Sequence, residues 1–296
     1  MFTELKNFFL HLRLHYQFFI LSGGYLLGGL MADQMQFTQF WLQFLNVHIL
    51  LYGGATAFNS WWDKDEGPIG GLKHPPKMSL WMRDVSLLFM LAGGIWAFTV
   101  GWPYFIVYGI SAILFWLYST PLARWKGHPI LSLIAIGIST GLNSVLLGFW
   151  AAGGVFSPIL LLSGIGASLI LLSLYPVSQI YQADEDSQRG DVTFYIEYGR
   201  KGVQRFFLIS YITGLTMLSV GFYPMYAIPA IVLFIVGLLS FAIIQRFVMG
   251  LKGIQSEYQT VMNIKFFASL SFVIFLLISN AIRYEWIGET FLTRYF

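Results

Sequence analysis

The sequence predicts an all-α polytopic membrane protein, a bundle of about nine transmembrane helices with a cytoplasmic amino terminus. Three observations carry this. Hydrophobic residues make up 57% of the 296 positions and charged ones only 10%, with a mean hydropathy of +0.68, whereas a soluble domain has roughly 25% charged residues. Apolar segments follow one another, each near the roughly 20 residues that cross a hydrocarbon core. Basic residues fall on alternate connections. No stretch is polar enough for a soluble domain, so residues 1–296 are read as one membrane domain. The chain has no cysteine, which excludes disulfides, thiolate metal sites and cysteine nucleophiles. The basic residues sit between apolar spans, so the net charge of +3 gives no reason to expect nucleic acid. The expected partner is the bilayer.

The predicted spans are 15–32, 40–58, 85–101, 103–119, 130–150, 156–180, 204–222, 225–245 and 263–282. The first follows an amphipathic stretch with Lys6 and Arg13, and no small-residue cleavage site succeeds it, so it is not read as a cleaved signal. Gly101-Trp102-Pro103, Gly153-Gly154-Val155 and Phe222-Tyr223-Pro224 are only turns, which makes tight antiparallel hairpins of the helices that they join. With the amino terminus inside, all of the 17 basic residues except Arg283 and Arg294 lie on the inner side. A wrong helix count would scramble that asymmetry. The expected location is a bacterial-type inner membrane.

Half of the 14 acidic residues gather in two inner connections: Asp63, Asp65 and Glu66, then Asp184, Glu185, Asp186 and Asp191. Asn59-x3-Asp63-x3-Gly67 and Gln182-x3-Asp186-x3-Gly190 place an amide, an aspartate and a glycine at steps of four. Residues four apart share one helical face. Each motif therefore aims an amide and a carboxylate from a helix end into one cavity. Carboxylates suit hard divalent cations, and Mg²⁺ takes one or two of them together with substrate phosphates. Lys73 and Lys77 follow the first motif, Arg189, Arg200 and Lys201 the second, and Arg124 with Lys126 lie between helices 4 and 5. Metal and cations together suit a diphosphate. A diphosphate site beneath an apolar cavity points to a polyprenyl diphosphate donor.

Over nearly its whole length the chain resembles the UbiA superfamily of intramembrane prenyltransferases. Ala57-Phe58-Asn59-Ser60-Trp61-Trp62-Asp63 resembles the first Asp-rich motif, and Gln182-Ala183-Asp184-Glu185-Asp186-Ser187-Gln188-Arg189-Gly190 the second. Tyr118-Ser119-Thr120-Pro121 with Arg124, Lys126 and Pro129, and Thr193 with Gly199-Arg200-Lys201, match further stretches. The departures are specific. Ser60 and Gly67 stand where the family has aspartates, Gln182 replaces the first aspartate of the second motif, and His74-Pro75-Pro76 replaces an Arg-Pro pair.

The resemblance implies Mg²⁺-dependent transfer of a prenyl group from a polyprenyl diphosphate to an aromatic or other polar small-molecule acceptor. Asp63 and Asp186 are the expected metal ligands, with Asn59 and Gln182 as neutral ligands or water positioners and Asp65 and Asp184 as substitutes for the missing carboxylates. Lys73, Lys77, Arg124, Lys126 and Arg200 are the expected diphosphate clamp. Tyr118 is either a face for an allylic cation or an interfacial tyrosine. Asn143 is either a cavity ligand or an interhelical hydrogen bond, and His48 and Gln43 carry the same two readings. Gly67-Pro68-Ile69-Gly70-Gly71 is a flap over the site or a tight turn. The rival classes are a transporter, which two related motifs also suit, and a non-catalytic prenyl-diphosphate binder. The histidines are too scattered for zinc, and no Walker-type loop is present.

Overall fold

The computed structural model describes residues 2–286. The regular secondary structure of these residues is helical, apart from a single isolated bridge between Ile69 and Leu72. Short α1 (Phe2–His11) precedes a first rod made of α2 (Leu14–Tyr16), a π-helical turn Gln17–Leu21 and α3 (Ser22–Met31). The second rod is α4 (Phe37–Leu45), a π-helical stretch Asn46–Gly53 and α5 (Gly54–Asp63). Then come α6 (Leu80–Ala97) and α7 (Trp102–Ser119). A third interrupted rod follows: α8 (Pro129–Ile136), the π-helical Gly137–Leu142 and α9 (Asn143–Ala151). After it lie α10 (Pro158–Leu174), α11 (Ala183–Gln188), α12 (Phe194–Phe222), α13 (Ala227–Gly250) and α14 (Tyr258–Arg283).

Among the described residues, seven helical units are long and apolar enough to cross a membrane: Leu80–Ala97, Trp102–Ser119, Pro129–Ala151, Pro158–Gln188, Phe194–Phe222, Ala227–Gly250 and Gln255–Arg283. The first two rods fall below that measure because they carry more polar residues, among them His15 and Gln17, then Gln39, Gln43, Asn46 and His48. The chain is an integral membrane protein. Prolines at the first turns of α7, α8 and α10 (Pro103, Pro129, Pro158) supply a preset φ where no donor is lost.

Helix ends depart from the predicted spans where function concentrates. The second rod runs on to Asp63, so the first acidic motif sits on the last turns of a helix and not in a loop. α12 begins at Phe194, about three turns before the expected 204, with a break at Gly199 whose φ of 63° only glycine adopts freely. Arg294, part of the charge argument, lies outside the described residues.

Two close helix crossings hold the walls. Gly24 and Gly28 of α3 face Ser144 and Gly148 of α9. A Cβ on Gly24 would lie 2.9 Å from Ser144, and one on Gly28 or Gly148 would overlap the carbonyl of Val145 or Tyr25. Gly166 of α10 and Gly214 of α12 repeat the arrangement, with a Gly214 Cβ falling 2.7 Å from the Gly166 carbonyl. Lipid is as apolar as leucine, so membrane helices associate through such small-residue contacts and not through burial of oil from water. The side of the bundle formed by α13 and α14 is looser. Val232, Val236, Ile243 and Phe267 line the internal cavity and are also exposed on the outside.

Candidate functional site

A cavity of about 630 Å³ opens among α3, α5, α7, α10, α12, α13 and α14. All three π-helical stretches contribute to its wall, through Gln17, Ile20 and Leu21, through Tyr52, and through Thr140. A π turn admits an extra residue and bulges the helix, which re-aims side chains next to the opening. One end of the cavity is charged, with Asp63, Asp65, Lys126, Asp186, Arg189 and Asp191 on its wall. The other is apolar, lined by Leu215, Leu218, Leu233, Phe272 and Phe275.

The step-of-four spacing works as expected at the first motif. Asn59 Nδ2 donates to Asp63 Oδ2 at 2.8 Å, and its Oδ1 accepts from Ser119 Oγ of α7 at 3.1 Å, so the amide orients the carboxylate. Lys126, placed by the 3₁₀ turn Trp125–Gly127, binds the other oxygen of Asp63. Burial pushes the Lys126 ammonium down to about 8, against the opposing pull of Asp191 and Asp186. In the second motif Asp186 sits in α11, and Gly190 in the left-handed region (φ 75°) ends that helix. The Asp186 main-chain carbonyl accepts from Asp191 N at 3.0 Å.

Ion pairs tie the two motifs together. Arg189 binds Asp65 at 2.6 Å and reaches Glu185 at 3.5 Å, while Gly67 N donates to Glu185 Oε1 at 2.8 Å. Gly67, where the resemblance led us to expect an aspartate, leaves room here for a carboxylate from the opposite motif: a Cβ on it would lie 2.8 Å from Glu185 Oε1. Asp65 is raised above the ordinary carboxylate range by burial, although Arg189 and Arg13 pull the other way. Replacing Arg189 with alanine removes a charge-assisted bond worth about 1.5–3 kcal/mol. Cleavage of the 64–79 segment by limited proteolysis is expected to accelerate roughly tenfold or more.

Of the residues singled out in the sequence, Asn59, Asp63, Asp65, Tyr118, Lys126, Gln182 and Asp186 line this cavity. Tyr118 Oη pairs with Tyr175 Oη at 2.9 Å. Others stand elsewhere. Lys73, Lys77, Asp184 and Arg200 are exposed and off the wall, because each lies on an outward turn of its segment. Arg124 is a buttress: its Nε and Nη2 grip Asp191 at 2.5 and 2.8 Å. Asn143 takes the interhelical alternative, donating to Ser111 Oγ at 2.9 Å. Gln43 and His48 also bond within the helix bundle, Gln43 to Asn46 and His48 to the Phe44 carbonyl. Arg189 and Asp191, counted in the sequence among the charges around the second motif, line the cavity, and so do Arg13, Tyr181 and Lys265, to which sequence reasoning assigned no role in the site.

Among the described residues no three carboxylate or imidazole groups converge closely enough to hold a metal by themselves. Mg²⁺ does not need three, since substrate phosphates and water complete its shell. The oxygen donors of Asp63 and Asp186, with a lysine ammonium already drawn onto Asp63, fit a cation bound jointly with a diphosphate.

Fold and site together define an integral membrane protein with an acidic, cation-studded mouth over an apolar cavity. The chain belongs to the UbiA prenyltransferase family, whose model matches residues 18–270. Solved structures share the fold. A UbiA homolog from Archaeoglobus fulgidus bound to GPP and Mg²⁺ superposes with a TM-score of 0.73 at 13% identity, covering 93% of this chain and 99% of that one. The same homolog bound to DMAPP and Mg²⁺ gives 0.69 at 14% identity, covering 91% and 98%. A digeranylgeranylglyceryl phosphate synthase gives 0.65 at 17% identity, covering 95% and 99%. Among curated proteins no sequence matches the chain.

Proposed function

We propose that this protein transfers a prenyl group from a polyprenyl diphosphate to an aromatic or other polar acceptor at the cytoplasmic face of a bacterial-type inner membrane, with Mg²⁺ as cofactor. The observation that carries the reading is the meeting of Asp63 and Asp186, from two separate motifs, on one cavity whose far end is apolar. The Archaeoglobus homolog, of the same fold, binds GPP or DMAPP with Mg²⁺. The distribution of basic residues supports nine crossings and an inner location for both motifs.

In this reading Asp63 and Asp186 hold the metal, with Asn59 and Gln182 as neutral neighbours. A Mg²⁺ ion held there would supply the Lewis acidity that makes the diphosphate a better leaving group. Lys126 and Arg189 add cationic hydrogen bonds to the phosphate oxygens. Leu215, Leu218 and Phe275 receive the apolar tail. Breaking the carbon–oxygen bond leaves an allylic cation, and the ring of Tyr118, fixed by Tyr175, offers a π face to it. The acceptor attacks that carbon and loses a proton.

The test is diphosphate release by purified protein from a panel of prenyl diphosphates with acceptor present. Release is expected to fall to background on chelation and to return when Mg²⁺ is restored. A protein that binds the donor yet never releases diphosphate would instead be a binding or transport protein.

A further inference from the structure

Helix α1 carries its polarity inside out. Glu4, Asn7 and His11, spaced three and four residues apart, share one face. That face turns toward the protein: Asn7 Nδ2 donates to the Lys77 carbonyl at 3.3 Å, His11 Nε2 to the Pro76 carbonyl at 2.7 Å, and Ser79 Oγ to the Glu4 carboxylate. Just beyond the helix, Arg13 Nη1 donates to the Gly70 carbonyl at 3.2 Å and His15 Nε2 to the Gly71 carbonyl at 2.9 Å. These bonds all end on the 64–79 connection, which walls the charged end of the cavity with Asp65, Ile69 and Gly70. The opposite face of α1 is apolar and bare. On it Phe2 is 85% exposed, Phe9 53% and Leu5 46%, with Lys6 exposed beside them.

A helix bordered by water turns its polar side outward. α1 does the reverse, and its place in the bundle says what covers the apolar side. Phe8 sits between Trp81 and Phe89 of α6, with ring centroids 5.6 and 5.4 Å away, so α1 lies against the first turns of that helix. The outward residues of α6, Leu80, Leu88, Leu91 and Ile95, are exposed on a helix apolar enough to cross a membrane, and so face lipid. The bare stripe of α1 continues that surface at the end of the bundle that carries the acidic motifs. We propose that α1 is an interfacial helix, docked on the bilayer through Phe2, Leu5 and Phe9, which ties the 64–79 connection to the membrane surface. Its apolar side chains sink into the boundary between headgroups and acyl chains, and the flexible stem of Lys6 carries its ammonium to the headgroups. The polar face is the strap. Membrane docking and the wall at Asp65 therefore share one element.

The chain has no cysteine, so a nitroxide can be attached at one chosen position at a time. Leu5→Cys, Phe9→Cys and, in the exposed part of the connection, His74→Cys are labelled in the full chain and placed in nanodiscs of phosphatidylethanolamine and phosphatidylglycerol. Each label's accessibility to oxygen, which concentrates among acyl chains, is compared with its accessibility to a water-soluble nickel chelate. The labels on α1 are expected to favour oxygen and the His74→Cys label nickel. In a second arm trypsin cuts at the exposed Lys73 and Lys77 in the same nanodiscs. Replacing Phe2, Leu5 and Phe9 together with serine keeps the polar face intact and is expected to speed that cleavage roughly tenfold or more, with cleavage after Lys201 unchanged. Labels on α1 as open to nickel as the one on the connection put the stripe in water and overturn the proposal. Labels shielded from both reagents put it under protein, a second copy or another chain, and overturn it as well. Labels in lipid with unchanged cleavage of the serine variant overturn the strap. Faster cleavage at Lys201 too marks a variant that has lost its fold, and the labels then decide alone. Neither arm uses turnover, so the outcome is independent of the prenyl-transfer reading.

Discussion

Asp186→Asn is expected to lower Mg²⁺-dependent diphosphate release by on the order of 10²- to 10³-fold, the cost of removing one charged group from a transition-state clamp. The substitution keeps shape and removes charge. Its reach is chemical and not structural, because among the described residues the Asp186 carboxylate makes no hydrogen bond or ion pair that the fold would lose, and it lines the cavity in the field of Lys126 and Arg189. The melting temperature of Asp186→Asn should therefore remain near that of wild type. Asp63→Asn should lose as much release and also some stability, since it leaves the buried Lys126 ammonium without its anion. Measuring release and melting on the same preparations separates the two effects. Release within a few-fold of wild type in Asp186→Asn would remove the catalytic role of the paired motifs.

The largest structural effect is expected at Gly148. A methyl group there has nowhere to go, because the atoms it meets are the Tyr25 carbonyl and neighbouring backbone of α3. Backbone does not rotate aside as a side chain does. Gly148→Ala should cost at least about 1–3 kcal/mol, the range for overpacking a well-filled interior, and Gly148→Val should prevent recovery of folded protein. Gly109→Ala is the control: nothing lies within 4 Å of a Cβ at that position in α7. Removing a mid-helix glycine is worth about 0.5–1 kcal/mol in stability. Aggregation temperature by size-exclusion after heating reads all three. A Gly148→Ala protein as stable as Gly109→Ala would mean that α3 and α9 do not cross as closely as described.

Much of this was legible before any coordinates. Asp63 and Asp186 announced themselves by spacing, because a step of four has one meaning on a helix, and both reach the cavity. Lys126 followed from its place behind α7. What the sequence hid was pairing. Arg13 reads as one more basic residue in an amphipathic lead, and Lys265 as an interfacial anchor; only the fold brings both onto the cavity wall. Lys73 and Lys77 were attractive for the opposite reason, lying next to a motif in the chain while turned away from it in space. The π-helical stretches left no signal, since an i→i+5 bond arises from how neighbouring helices crowd a turn and not from the propensity of its residues. Gly199 carried one, a glycine before Arg200-Lys201, but the helix appeared to start after it and not before.

The looseness between α13 and α14 has a consequence for how the protein is handled. Val232, Val236, Ile243 and Phe267 touch the cavity and the outside at once, so part of the chamber is bounded by whatever surrounds the protein. In a cell that boundary is acyl chains, which are chemically close kin of a prenyl tail. On the prenyl-transfer reading, the annulus is then both competitor and reservoir, and donor affinity is expected to be a property of the mixture and not of the polypeptide alone. A detergent micelle replaces one wall of the vessel with another material, and constants measured there belong to a different compartment.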